Sequence, residues 1–296
     1  MKIYDCFMYF DEDLVLELRL NTLDKYVDYF VIVESDYNHK GDKRELRFNI
    51  DKFKKFENKI LYLNYNFTPE GIEIINEKEN EDSQSAKFIL NAARRENAQR
   101  NYIEKGLLNA KNEDLILISD IDEIPNLSNV QLDRINKKII LFKQNMFYYK
   151  FNLKAPNLLW TGTKGCRKKY LKNPQWLRNI RDRKYPFYRL DTFFSDIKYI
   201  DVEIIDNGGW HFTNIKKPYD IKRKLESYLH HREFDLNPLT TEQIEEIIKN
   251  KKAIYNLNLD KRLNKFGKGM DLEKFEIDKL PSYIKENIEK YKDWLD

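Results

Sequence analysis

The residues of this chain best suited to chemistry lie in one short stretch, Ser119-Asp120-Ile121-Asp122-Glu123-Ile124-Pro125. It follows directly on Asp114-Leu-Ile-Leu-Ile-Ser119, whose unbroken apolar run predicts a strand buried on both faces. In an open α/β sheet ligands bind beyond the carboxyl ends of the strands, so these carboxylates arrive at the functional edge. Asp120 and Asp122 straddle one residue, and in an extended turn their side chains point to the same side. Three carboxylates this close repel one another unless a cation neutralises them. A hard divalent ion, Mg or Mn, meets that need with oxygen ligands and fills its remaining positions from a diphosphate. An isolated Asp-x-Asp is commonly a solvated loop, and Asp120 capping a helix near Ser128 is the plain alternative. The buried strand leading into the acids is what narrows the reading.

Such a turn needs a sheet to carry it. The first half of the chain alternates short β-rich runs with helical patterns, the signature of βαβ units. Ile3 to Phe10 predicts a strand, and Asp11 or Asp13 can cap a helix that aligns Leu14, Leu18 and Leu23. Tyr29 to Glu34 predicts a central strand, Ile60 to Tyr65 a third, and Ser83 or Ser85 opens a long helix running to Lys105 and closed by Gly106. Beyond Pro125, 128–136 reads as helix, 139–152 as one long strand, Trp160 to Gly165 as a glycine-containing turn and Val202 to Ile205 as a short strand. Helical patterns occupy about 218–231, 240–251 and 281–295, the last placing Ile284, Ile288, Tyr291 and Leu295 to dock on the core or on a second subunit. Glu70 to Asp82, acidic and poor in large apolar groups, predicts a mobile loop or lid.

With 296 residues, 41% hydrophobic and 14% aromatic, the chain has ample material for a buried core, and 9 Gly with 8 Pro exclude a collagen-like or generally disordered chain. The net charge of +4 is too small to demand nucleic acid as a partner. The longest apolar runs fall short of a membrane span, and Asp5 with the acids after it is wrong for a secretory signal, so the expectation is a cytoplasmic protein with no transmembrane segment. Cys6 and Cys166 are too few and too isolated for a disulfide framework or a cysteine zinc cluster and read as buried small hydrophobes.

The chain resembles glycosyltransferase family 17, whose best-known activity adds the bisecting N-acetylglucosamine to N-glycans. The residues carrying the resemblance are Ile3-Tyr-Asp-Cys-Phe7, Glu17 and Arg19, Val27-Asp28, Phe30-Val-Ile-Val-Glu34-Ser35, Gly41, Leu46 and Phe48. Further on come Arg95-Glu96, Gln99-Arg100, the Ser119 to Pro125 turn, Gly209-Trp210-His211-Phe212-Thr213, and Lys224 with Ser227. They cover most of residues 1–230. The resemblance implies an α/β, GT-A-like domain over 1–235 with a mixed, mainly parallel sheet and a helical extension over 236–296. It implies a metal-dependent, inverting transfer of N-acetylglucosamine or another hexose from a nucleoside diphosphate, with UDP favoured, to a glycan or glycoconjugate acceptor.

Within that reading Asp120, Asp122 and His211 are the metal ligands, His211 being similar to the C-terminal histidine that completes the site in many GT-A enzymes. Glu34 ends a central strand and can accept hydrogen bonds from the nucleoside; its plain alternative is a surface acid. Arg95 or Arg100 can reach the nucleotide or the acids of the turn, although Glu96 and Arg100 are also spaced for an intrahelical ion pair. Lys224 can meet the diphosphate, and Trp210 is the aromatic expected beside the donor. For the base, Asp182 precedes His211 in the order often found in inverting GT-A enzymes, and Glu123 is second, with Asp206 and Glu226 behind. Against Asp182 stands its Arg-rich neighbourhood, where a surface ion pair is ordinary. Two other classes remain open: a metal-dependent phosphodiesterase or nucleotidyltransferase, and a non-catalytic carbohydrate- or nucleic-acid-binding protein using the basic stretch from Lys164 to Lys184.

Overall fold

Three parallel strands at the start of the chain set the frame: β1 (Ile3–Tyr9), β2 (Tyr29–Ser35) and β3 (Ile60–Tyr65), with helix α1 (Asp13–Leu23) crossing between the first two. The computed structural model describes residues 1–228, 231–255 and 269–296. Helix α2 (Glu81–Asn101) leads to β4 (Leu115–Asp120), parallel to β1. Then come β5 (Glu123–Pro125), β6 (Ile139–Tyr148), β7 (Leu153–Arg167), α3 (Pro174–Asn179), β8 (Val202–Ile205) and β9 (Gly209–Thr213). Helices α4 (Pro218–Ser227), α5 (His231–Leu236) and α6 (Thr241–Lys249) follow, and β10 (Glu273–Lys274), α7 (Ser282–Glu286) and α8 (Ile288–Tyr291) end the order. The strands form one mixed sheet in the order β3-β2-β1-β4-β7-β6-β9-β5, with β8 against β6 and β10 against β7. This is the α/β, single-domain architecture that the alternation of elements predicts.

The apolar runs of β2 and β4 are continuous, and that of β1 is broken only by Asp5, because both faces of the sheet are covered. On one face Phe7, Phe30, Ile32 and Leu117 pack with Leu16, Leu20 and Leu23 of α1. On the other, Cys6, Val31, Val33, Ile116 and Ile118 pack with Ile103, Leu107, Trp176 and Leu177. Both cysteines are buried and free. The C-terminal helices dock on the first of these layers through Leu280, Ile284 and Tyr291, and the Phe151 amide donates to the Trp294 carbonyl.

Several boundaries differ from the sequence reading, each for a local reason. Helix α1 has Glu12 at its N-cap with no side-chain cap: Asp11 is held by Lys216 and Arg223, and Asp13 by Tyr9 and Lys52. Helix α2 starts earlier than expected because Asn80 accepts from the Ser83 amide, and it gives way to a 3-10 segment from Tyr102 to Leu107. The expected helix over 128–136 is a single 3-10 turn at Leu132–Arg134, and the long strand ends at Tyr148 because Tyr149 takes φ 62°. The glycine-containing segment 160–165 is not a turn but the interior of β7. Gly162 is there for space, since a Cβ would fall 1.9 Å from Gln144 Oε1 on the neighbouring strand. The segment 70–80 runs beside α2, where Asn91 exchanges hydrogen bonds with the Glu73 backbone.

Inside the sheet lies one buried ion pair. Arg19 of α1 and Asp5 of β1 are both fully buried and joined by two bonds, Nε to Oδ2 at 2.7 Å and NH2 to Oδ1 at 2.6 Å. The same guanidinium donates to the carbonyls of Asp120, Ile121 and Glu123 and to the Ser119 hydroxyl, so it shapes the backbone of the acidic turn. Removing one partner of a buried pair strands the other charge. Arg19→Leu is therefore expected to lower the unfolding free energy by about 3–5 kcal/mol, read from the urea midpoint. Arg19→Lys should recover only part of the loss, because an ammonium lacks the planar fork that reaches both carboxylate and turn. A wild-type midpoint in Arg19→Leu would show that the turn is held by other means.

Candidate active site

The carboxyl ends of β1, β2, β4 and β9 open into a cavity of about 260 Å³, closed from the other side by α4. Met8, beside Asp120 in the strand register, and Tyr9 bring β1 to its wall, Ser35 and Tyr37 bring the end of β2, and Lys224 and Leu225 bring α4. Asp120, Asp122, His211 and Lys224 all line it. The pairing of β5 with β9 sets Glu123 opposite His211, and the side chains of β9 then alternate. His211 and Thr213 face the cavity, whereas Trp210 and Phe212 enter the core. Gly209 sits at φ 134°, where a Cβ would fall 2.1 Å from the Ile124 carbonyl oxygen, so only glycine lets β9 approach β5 so closely.

The two aspartates of the turn have different environments. Both oxygens of Asp120 are taken by arginines, Oδ1 by Arg100 at 3.1 Å and Oδ2 by Arg178 at 2.9 Å. Burial opposes its charge, but the two guanidiniums outweigh burial and hold the carboxyl well below its usual range. Asp122 is more loosely surrounded, with Oδ1 3.5 Å from His211 Nε2 and Oδ2 3.8 Å from Lys224 Nζ. Here too burial is outweighed, by His211 and then Lys224, and the carboxyl titrates below its ordinary value. The same attraction overcomes the desolvation of both partners, raising His211 and Lys224 above theirs.

Among the described residues no three acid, histidine or cysteine side chains converge as a ready metal cage, because Asp120 is committed to Arg100 and Arg178. Asp122 and His211 do suit a divalent ion as two adjacent ligands. One offers a carboxylate oxygen and the other an imidazole nitrogen, and His211 Nδ1 is buried with no hydrogen-bond partner. An ion on these two would draw its other ligands from a bound molecule.

Other expected site residues are placed elsewhere or have other work. Glu123 is fully buried and holds the turn together: it accepts from the Asp120 amide, the Trp160 indole and Arg178. Asp182 lies outside the cavity, accepting from Lys143 Nζ and Thr161 Oγ1 at 3.2 Å each. Glu34 does not face a ligand, since its oxygens accept from Arg44, from the Arg47 and Phe48 amides and from the Tyr62 hydroxyl. Trp210 is turned away from the cavity with its indole N–H on the Lys279 carbonyl; the aromatic beside His211 is Trp160, at 5.5 Å between ring centres. Arg100 makes both contacts the sequence allows, the intrahelical bond to Glu96 and the reach to Asp120. Arg95 supports the turn at 39–41 by donating to the His39 and Lys40 carbonyls, and it lines a small adjoining cavity of about 50 Å³ with Tyr65 and Phe67.

Glu12, Asn38, His39 and Gln99 also line the main cavity. The signal for Glu12 was present, since it follows β1 at the same sheet edge, but the acids there read equally well as a helix cap. Arg178 is the other omission: three basic residues near it gave no reason to single it out.

The sequence model of glycosyltransferase family 17 matches residues 1–296. The chain belongs to that family. Comparison with curated proteins finds no match. Among the described residues, no helix is long and apolar enough to cross a membrane.

This family 17 glycosyltransferase positions Arg178 through a second buried cation. Lys164 of β7 donates from Nζ to the carbonyls of Arg178 at 2.5 Å and Ile180 at 2.6 Å. Burial first, and the Arg178 charge second, lower Lys164 from 10.5 to about 8. Between those two values the unfolded chain binds the proton that the folded chain has released, so stability rises with pH across that window. The expected gain is up to about 3 kcal/mol, read as the urea midpoint at the two ends of the window. Lys164→Met should flatten the rise; an equal rise in the variant would assign it to another group.

Proposed function

We propose that this glycosyltransferase carries out a metal-assisted, inverting transfer of a hexose or N-acetylhexosamine from a UDP-sugar to a hydroxyl of a glycan acceptor. The observation that carries the reading is the convergence on one cavity of Asp122 and His211 from the carboxyl edge of the sheet and Lys224 from α4. The donor class rests on family membership.

A bound Mn or Mg would neutralise the charge that develops on the departing diphosphate, with Asp122 and His211 as its protein ligands. Lys224 adds a fixed ammonium next to the same oxygens and orients the diphosphate against α4. Asp120, fastened by Arg100 and Arg178, serves as a rigid acceptor at the cavity wall for donor hydroxyls. Ile121, Leu225 and Tyr228 supply apolar wall that excludes water, the competing nucleophile. The base is assigned to Glu12 instead of Asp182. Glu12 lines the cavity, its Oε2 is oriented by the Phe10 and Asp11 amides, and its Oε1 has Lys216 no closer than 3.8 Å. Glu96, the other glutamate there, is bound to Arg100.

The test is thermal shift of the purified chain with UDP-, GDP-, CMP- and dTDP-sugars, each with and without Mn, since a ligand that binds the native state raises its apparent stability. A UDP-sugar shift that requires Mn is expected, and no shift with any sugar nucleotide in either condition would overturn the reading. Asp122→Asn should lose that shift and reduce turnover by at least about a hundredfold while still melting cooperatively on its own. Glu12→Gln should keep the donor shift and lose a comparable factor in kcat; unchanged kcat would remove Glu12 from the base role.

A further inference from the structure

Between α3 and β8 the chain makes a long excursion whose only regular element is the 3-10 turn Leu190–Thr192. Loops of this length without structure of their own are uncommon in compact domains and usually functional. This one is closed at its neck, where the Arg181 amide donates to the Ile197 carbonyl at 2.7 Å and the Trp176 indole to the Asp196 carbonyl at 2.8 Å. It is also braced within. Tyr185 is buried beneath it, Thr192 bonds back to the Arg189 carbonyl, and Asp191 is held by both Arg189 and Lys198. A loop with joined ends and its own internal packing keeps a fixed shape.

What this shape presents is unusual. Phe187, Tyr188, Leu190, Phe193 and Phe194, five large apolar side chains within eight residues, are 67–92% exposed. Exposed apolar residues elsewhere, such as Ile74, Leu108 and the less exposed pair Ile89 and Leu90, stand singly or in twos and need no explanation. Five such side chains gathered on one braced loop do need one. Beside it Arg181, Arg183 and Lys184 are exposed and make no ion pair among the described residues, whereas the loop's acids are engaged: Asp182 by Lys143, Asp191 by Arg189 and Lys198, and Asp196 by Lys172.

We propose that this loop seats the enzyme on an anionic lipid surface, with the aromatic side chains entering the headgroup region and the three free cations on lipid phosphates. Phe, Tyr and Leu are the side chains that partition into a bilayer interface, and basic groups beside them gain from an anionic leaflet. Charge decides between a bilayer and a second copy of the chain, because self-association through this face would bring Arg181, Arg183 and Lys184 against one another. A bilayer also accepts projecting rings without a matching groove. The inference does not depend on which donor the enzyme uses.

The experiment is sedimentation of the full chain with vesicles of phosphatidylcholine alone and of phosphatidylcholine mixed with phosphatidylglycerol. Binding to the mixed vesicles is expected, weakened by added salt and absent or much weaker with phosphatidylcholine alone. The double variant Phe193→Ser/Phe194→Ser should lower the partition coefficient about tenfold or more, with an unchanged melting temperature because both rings are solvent-exposed. Arg183→Gln/Lys184→Gln should lower it about tenfold and remove the salt dependence; it carries the test if the first variant folds poorly. Wild-type protein that stays in the supernatant with both vesicles overturns the proposal, as does equal binding by both variants. A wild-type dimer in light scattering that Phe193→Ser/Phe194→Ser converts to monomer also overturns it and assigns the face to self-association.

Discussion

The fully buried pairing of Arg19 with Asp5 is the interaction on which the rest of the site depends. Three carbonyl groups, from Asp120, Ile121 and Glu123, converge on one point behind the acidic turn, where the Arg19 guanidinium donates to all three and the Thr163 hydroxyl adds a second bond to that of Glu123. A guanidinium offers five hydrogens in one plane, so Nε and NH2 hold the Asp5 carboxylate while the two hydrogens of NH1 are shared among the three carbonyls. Because Arg19 rides on α1 and Asp5 on β1, the turn can take its shape only once that helix has packed on that strand. A buried ion pair adds little net stability against a well-packed apolar alternative, so its value here is positional.

From that fixed backbone the two aspartates diverge. Asp120 points toward α2 and α3, where Arg100 and Arg178 clamp it, and Glu123 and Trp160 lock Arg178 and the turn from below. Asp122 points toward α4 and β9, where His211 and Lys224 stay 3.5 Å and 3.8 Å away. One acid is thus a rigid part of the wall and the other keeps room for a ligand. Their spacing of two residues puts them on one edge, but the cations arriving from sequence-distant elements give them different tasks.

This explains what was legible in the sequence. Strands β1, β2 and β4 were readable because burial on both faces leaves apolar runs, broken in β1 only by Asp5, and the sheet-edge rule then put Asp120 and Asp122 at the cavity. Glu34 followed the same rule and went astray, since whether a strand-end acid faces ligand or backbone depends on donors at positions 44–62, which fold back over it. Trp210 was misjudged by adjacency: neighbours on a strand face opposite sides, so a cavity-facing His211 turns Trp210 into the core. Chain order favoured Asp182, but order carries no distance. The glycines of 160–165 suggested a turn, whereas Gly162 makes room for Gln144 within a long strand.

The charge balance of the cavity bears on why such a site would use a metal. Asp11, Glu12, Glu96, Asp120 and Asp122 lie at or beside its wall, with Glu123 behind; Lys216, Arg223, Arg100, Arg178 and Lys224 pair with them. The cations are therefore largely compensated before any ligand arrives. Among the described residues Lys224, 3.8 Å from the nearest Asp122 oxygen, is the most loosely held cation lining the cavity, and a diphosphate there would also meet the carboxylates of Glu12, Asp120 and Asp122. In a low-dielectric pocket that mismatch is costly, and a divalent ion seated between Asp122 and the diphosphate would remove it.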